Sequence, residues 1–215
     1  MTPEQRKEYS ELQLHKLGVR INLQLHVIEA DEEVQLRSVD EVFGRLCALW
    51  AVYQIVEERD SEAMHAWLRA QSIDQYLSQM ERAIVFGGAP GLLNKPCLLA
   101  VSEALFFLAW SLGLVDTLKV SARASSSQKM HEIMHAIFSH IDEVRAKVRF
   151  RSKAVILDWS DLLYRLHWAM RHAQLTQRAY PPNVNLVAIQ QWHKAVNWLC
   201  RYDDEDDWDR VSTET

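Results

Sequence analysis

Residues His131-Glu132-Ile133-Met134-His135 have the form HExxH. On a helix, a spacing of four sets both imidazoles on one face, where they could bind zinc while Glu132 acts as general base. A catalytic zinc takes three protein ligands and keeps one position open. The third ligand is not evident. His140 does not stand at the metzincin spacing, Glu143 follows too closely for the usual downstream helix, and Lys129 falls where zinc-protease helices keep an uncharged residue. The chain holds nine histidines, so a chance match is not rare. The plainer reading is two histidines on a solvated helix face. Zinc-dependent hydrolysis by His131, Glu132 and His135 is therefore carried as an alternative, and no other cofactor is implied.

Asp158, Asp161, Arg165 and His172 form the next set. Two carboxylates three residues apart could serve acid–base or metal chemistry. Asp161 and Arg165 are also i,i+4 neighbours, which predicts an ordinary ion pair on a helix surface. Aromatic residues supply a third possibility. Trp159, Trp168, Trp192, Trp198 and Trp208 place most of the eight tryptophans in the last third of the chain. A tryptophan needs room for its ring and a partner for its N–H. Trp168, Asn197, Trp198 and Trp208 could wall a ligand pocket to which Arg165, His167 and Asp209 add polar contacts. The same residues equally describe a core in which Trp208 clamps the last segment onto the final helices. Asn197, between apolar neighbours, must find partners if buried, and the chain leading into Trp208 is the expected one. The acidic run from Asp203 to Asp207 follows a helix C-terminus, where negative charge is unfavourable; Arg201, Arg210 or a basic partner should compensate it.

The composition narrows the classes. The chain has 215 residues, 48% hydrophobic and 25% charged, a globular balance long enough to bury a core unaided. A net charge of −5 argues against nonspecific nucleic-acid binding. Cys47, Cys97 and Cys200 are odd in number, widely spaced and without a CxxC pair, and read as reduced thiols of a cytoplasmic protein. Met1 to Tyr9 lacks the apolar core of a signal peptide. The apolar run from Leu98 to Val115 is interrupted by Glu103 and reads as a buried helix rather than a membrane span. There is no glycine-rich phosphate loop and no nucleophile elbow.

These candidates must be positioned by helices. Residues 19–28 alternate apolar and polar, which predicts a half-buried strand with a short return at 34–37. Ser38 with Glu41, and Ser78 with Glu81, are capping boxes that open helices. Ser61 is the expected cap of a short helix to Ala70, and residues 87–96 a loop. A helix over 97–113, closed by Gly113, should be the most buried element. Residues 119–128, rich in serine, read as an exposed linker. Helices follow over about 129–148 and 152–175, and Asn185 caps the last one. The expectation is mainly α: a single-domain helical bundle over 1–215, with a short N-terminal β element at about 19–37.

Several landmarks together resemble an uncharacterised bacterial family, domain of unknown function 4272. They are Arg37-Ser38-Val39-Asp40-Glu41-Val42 with Arg45, Leu77-Ser78 with Glu81, Ser102-Glu103-Ala104-Leu105 running into Leu108-Ala109-Trp110-Ser111-Leu112-Gly113, Leu157-Asp158 to Trp168, Ala195 to Leu199, and Asp207-Trp208-Asp209. The resemblance covers blocks 37–118 and 151–215. It implies no activity. The chain departs from the family at Gln191-Trp192, where the resemblance implies a Glu-Arg pair, and at Ala100-Val101, where it implies Trp-Arg.

With no complete catalytic set, a negative charge and an acidic run, the leading expectation is a non-catalytic protein-interaction module, such as an immunity-type inhibitor or an adaptor. Its partner would be another protein, a basic one by charge, rather than nucleic acid or membrane. The rivals are the zinc hydrolase and a small-molecule binder at the C-terminal tryptophans.

Overall fold

A computed structural model of the chain describes residues 1–57, 61–87 and 95–215. Among them are nine α-helices: α1 (Pro3–Lys16), α2 (Val39–Val56), α3 (Ser61–Ala70), α4 (Gln79–Phe86), α5 (Lys95–Ser111), α6 (Ser127–Ser139), α7 (Ile141–Lys147), α8 (Lys153–Leu175) and α9 (Leu186–Leu199). Short 3-10 turns occupy Asp74–Tyr76, Tyr202–Asp204 and Trp208–Arg210. Most of the expected loop at 87–96 lies outside the described residues. No described helix is long and apolar enough to cross a membrane.

The helix starts follow from local chemistry. Ser38 and Ser78 each accept from the backbone N–H three residues on, while Glu41 and Glu81 reach back to the cap, so orphan donors are satisfied in both directions. Ser152 and Asn185 cap α8 and α9. Gly113, at φ +73°, lets the chain leave α5 in the left-handed region. α9 packs most extensively on α5 and α8, α1 lies on α8, and α2 packs on α5. Buried apolar side chains from all nine helices join in a connected cluster.

Four expectations need correction. No strand forms among the described residues, and 19–37 is irregular chain with turns at 23–25 and 31–33, bonded to side chains of α1 and α8. Its alternation is partly real, since Val19, Leu25 and Val34 are buried, but Leu23 is 71% exposed. Cations stand in for a partner strand. Lys7 donates to the carbonyls of Leu23 and Leu25, Arg165 to that of His26, and Lys153 to that of Val34. Those carbonyls are thus satisfied without a ladder. Second, the helix expected over 129–148 breaks at His140 (φ −141°, ψ 48°), which ends α6 and starts α7 while Ile137 and Ile141 both remain in the core. Third, α2 rather than α5 is buried on nearly every face: each residue from Val42 to Val52 is buried, whereas α5 exposes Leu99. Fourth, residues 119–128 are mostly exposed but are tied to the bundle, since the Asn185 N–H donates to the Ser121 carbonyl and Ser125 donates twice to Glu103.

Helix α1 went unread. Thr2, Pro3 and Gln5 supply a capping box and a proline in the first turn, a start signal that was present in the sequence.

Candidate functional site

Two clefts collect the chemistry-bearing side chains. The first is an arginine–tryptophan knot built by α2, α4, α9 and the chain after α9. The capping box of α2 places Arg37 just before the helix and Arg45 two turns inside it. Arg37 closes the end of α9: its Nε donates to the Trp198 carbonyl at 2.8 Å, and its backbone N–H to the Leu199 carbonyl at 3.0 Å. These are orphan acceptors at the negative end of a helix dipole, where a cation is favoured. The same guanidinium lies 4.4 Å over the Trp198 ring and pairs with Asp206 at 2.8 Å. Arg45 makes a two-pronged pair with Glu81, donates to the Tyr76 carbonyl at 2.7 Å, and stacks 4.3 Å over the Trp208 ring. Gly44 makes room for Tyr76, whose ring occupies the place a Cβ would take. Trp198 and Trp208 meet edge to face at 5.6 Å, and Asp209 accepts from the Met80 N–H in the first turn of α4.

The knot is electrically closed. Asp206 and Glu41 face Arg37 and Arg201, Arg210 pairs with Glu205, and Asp207 caps its own turn. Burial raises the Glu41 carboxyl, but the Ser38 hydrogen bonds, Arg201 and Arg37 outweigh it and leave Glu41 below its ordinary value. Within the acidic run, Glu205 and Asp206 are paired inside the molecule, while Asp203 and Asp204 are exposed.

The second cleft, about 480 Å³, lies between α8, α9, residues 26–29 and the chain beyond α9. His193, one turn before Asn197 on α9, and Tyr164, one turn after Ser160 on α8, face each other across it. His193 is 3% exposed. Its Nδ1 lies 3.0 Å from Nδ1 of His167, so one ring donates and the other accepts. Burial, then the His167 charge, pushes His193 down to about 3; burial and Arg171 push His167 down to about 4. Both rings are therefore neutral at pH 7. Asn197 donates to the Ser212 carbonyl at 2.9 Å and fixes the cleft wall beyond the knot. Tyr202 reaches the same cleft from a strained stretch: Arg201, Asp203 and Asp204 have φ of 54°, 57° and 52°. Three non-glycine residues in the left-handed region cost energy, and such strain tends to collect at working sites.

The model of one family, domain of unknown function (DUF4272), matches residues 6–211. The chain belongs to the DUF4272 family. No curated protein and no solved structure matches it. Part of the motifs that carried the resemblance to DUF4272 converge in three dimensions: Arg37, Glu41, Arg45, Ser78, Trp198 and Trp208 line the knot, whereas the 102–113 and 157–168 motifs do not. Where the resemblance implied an arginine, Trp192 is buried and donates its indole N–H to the buried Glu103 at 3.1 Å.

The pocket expected from sequence is divided. Trp198, Trp208 and Asp209 belong to the knot, and Asn197 borders the second cleft. His167 stands behind His193, and Trp168 stacks on His172 at 4.9 Å. Arg165 pairs through two bonds of 2.8 Å with Asp161, and this pair is buried, not on the helix surface as expected, because α1 and the 19–31 segment cover it. Asp158 pairs instead with the buried Arg6. On α6, His131 packs its ring edge to face against Trp50 at 4.9 Å, while His135 is exposed. No group of three potential metal ligands forms among the described residues. The sequence reading missed His193, Tyr164, Ser160 and Tyr202. The i,i+4 pairs Ser160/Tyr164 and His193/Asn197 were the available signal, being polar positions on otherwise apolar helix faces.

Proposed function

We propose that the protein binds a small molecule in the His193 cleft. One observation carries this reading: a buried, neutral histidine, engaged at Nδ1 by His167, lines an open cleft of ligand size. The Nδ1–Nδ1 bond couples the two tautomers: where His193 donates at Nδ1 its Nε2 accepts, and where it accepts at Nδ1 its Nε2 donates. Spectra of the full chain labelled at histidine nitrogens, taken with a low-molecular-mass extract of the expression host, test it. Shifts at His193 and His167 support the reading; shifts at other histidines alone would overturn it.

The interaction-module reading, as an immunity-type inhibitor or adaptor, stands second. What supports it is a mainly apolar groove between α1 and α8, where Tyr9, Leu17, Val155 and Leu162 are grouped. A complex there should survive high salt, since apolar contacts are not screened. The shared core supports reading the chain as one domain. The Cys47 and Cys200 thiols, both raised to about 12 by burial, are not offered as nucleophiles in this reading.

A further inference from the structure

The walls of the His193 cleft differ from its floor. Glu29 and Glu214 stand at the rim, Tyr164 and Tyr202 supply aromatic faces, and no lysine or arginine lines it. Cations around it are committed elsewhere, Arg201 beside Tyr202 pairing with Glu41 and Asp206. Arg165, 5.9 Å from the Tyr164 ring centre, is neutralised by Asp161, and Arg171 acts on His167 behind the floor. The negative field reaches the wall: after burial, Asp203, Glu29, Tyr164 and Glu214 together hold the Tyr202 hydroxyl above its ordinary value. At the floor, the buried imidazole of His193 has one nitrogen engaged by His167 and its other without a hydrogen-bond partner among the described residues.

We infer that the ligand of this cleft is an organic cation, an amine-bearing small molecule whose charged head sits among Glu29, Glu214 and the two tyrosine rings while a polar group meets His193. This rests on the reading of the cleft as a ligand site. Aromatic faces attract cations through their quadrupole, and rim carboxylates add a Coulomb term that a neutral or anionic ligand would lack. An anion would meet two like charges and, at the floor, an uncharged ring. The neutral histidine suits a hydroxyl or amide of the ligand, which can either donate or accept.

The test is a fragment set in three matched classes: tyramine and related amines, tyrosol and related alcohols, and 4-hydroxyphenylacetate and related acids. Each is titrated into the histidine-labelled full chain. Amines that shift His193 at lower concentration than their alcohol and acid counterparts support the inference. That preference should shrink several-fold in the E29Q/E214Q double variant, whose changes lie on exposed residues and leave the fold intact. Equal or better binding by the acids or alcohols at His193 overturns the cation while leaving the cleft as a ligand site. No fragment of any class shifting His193 overturns both.

Discussion

The two clefts of this protein share α9 but are finished in opposite ways. In the knot, Arg37 and Arg45 each combine a carboxylate, backbone carbonyl contact and a tryptophan face, with Asp206 of the acidic run the counter-charge of Arg37 and Glu81 that of Arg45. In the His193 cleft, polar groups border open space and the backbone beside Tyr202 is strained. The knot's guanidinium groups are mostly spent on joining elements, although Arg45 Nε and Arg201 Nε are buried without a hydrogen bond, whereas the His193 cleft keeps open space beside its polar groups. The lesson is that the residues that most resemble a family motif are not thereby the residues free to act. The Arg–Trp set reads as a site in sequence because it is chemically rich, yet its richness is consumed in joining α2, α4 and α9.

The comparison predicts a gradient of effects. Arg45→Ala should cost most, about 3–5 kcal/mol, because Glu81 stays buried without its partner; denaturant unfolding of the variant measures it, and a loss under about 1 kcal/mol would mean the knot is not structural. Trp208→Ala should follow at about 3 kcal/mol, from lost packing on Trp198 and Arg45. Lys194, lowered by burial and by Arg45 and lying 5.2 Å from the Trp208 ring centre, should then move back toward its ordinary value, readable by NMR titration.

His193→Gln should change stability at pH 7 by no more than about 1 kcal/mol while altering its pH dependence. The native rings resist protonation at His193 down to about 3 and at His167 to about 4. The unfolded chain takes up those protons below about 6.5. Native stability is therefore full above pH 6.5 and is lost as the pH falls toward 4. The variant should show a shallower slope across that window; an unchanged slope would remove the buried pair from the account. The smallest effect is a gain. Asp203→Gly should relieve left-handed strain and stabilise by about 0.5 kcal/mol, seen as a small rise in Tm. If the strain serves the cleft, the same variant binds ligand more weakly because Tyr202 is less firmly placed.

Much of the frame was legible because it is written locally. Ser38/Glu41, Ser78/Glu81, Asn185 and Gly113 mark helix ends by side-chain reach and backbone freedom alone. Residues 19–28 misled for a physical reason: alternation reports which side chains are buried, not what satisfies the backbone between them, and here Lys7, Arg165 and Lys153 do so from distant helices. His140 breaks its helix without any signal in its apolar spacing. Of the expected site, Trp198–Trp208 contact and the burial of Asn197 were readable, whereas Asn197 bonds Ser212, beyond Trp208.

The sequence by itself determined a helical chain, its caps, its apolar stripes and its membership of DUF4272, because those depend on neighbours within a few turns. Only the tertiary structure decided which charged groups are spent on one another. Arg6 meets Asp158, Arg37 meets Asp206 and His167 meets His193 across spans that no local pattern encodes. Burial then sets the charge of each group, since the cost of ionisation depends on solvent and partners that the chain brings together only when it folds.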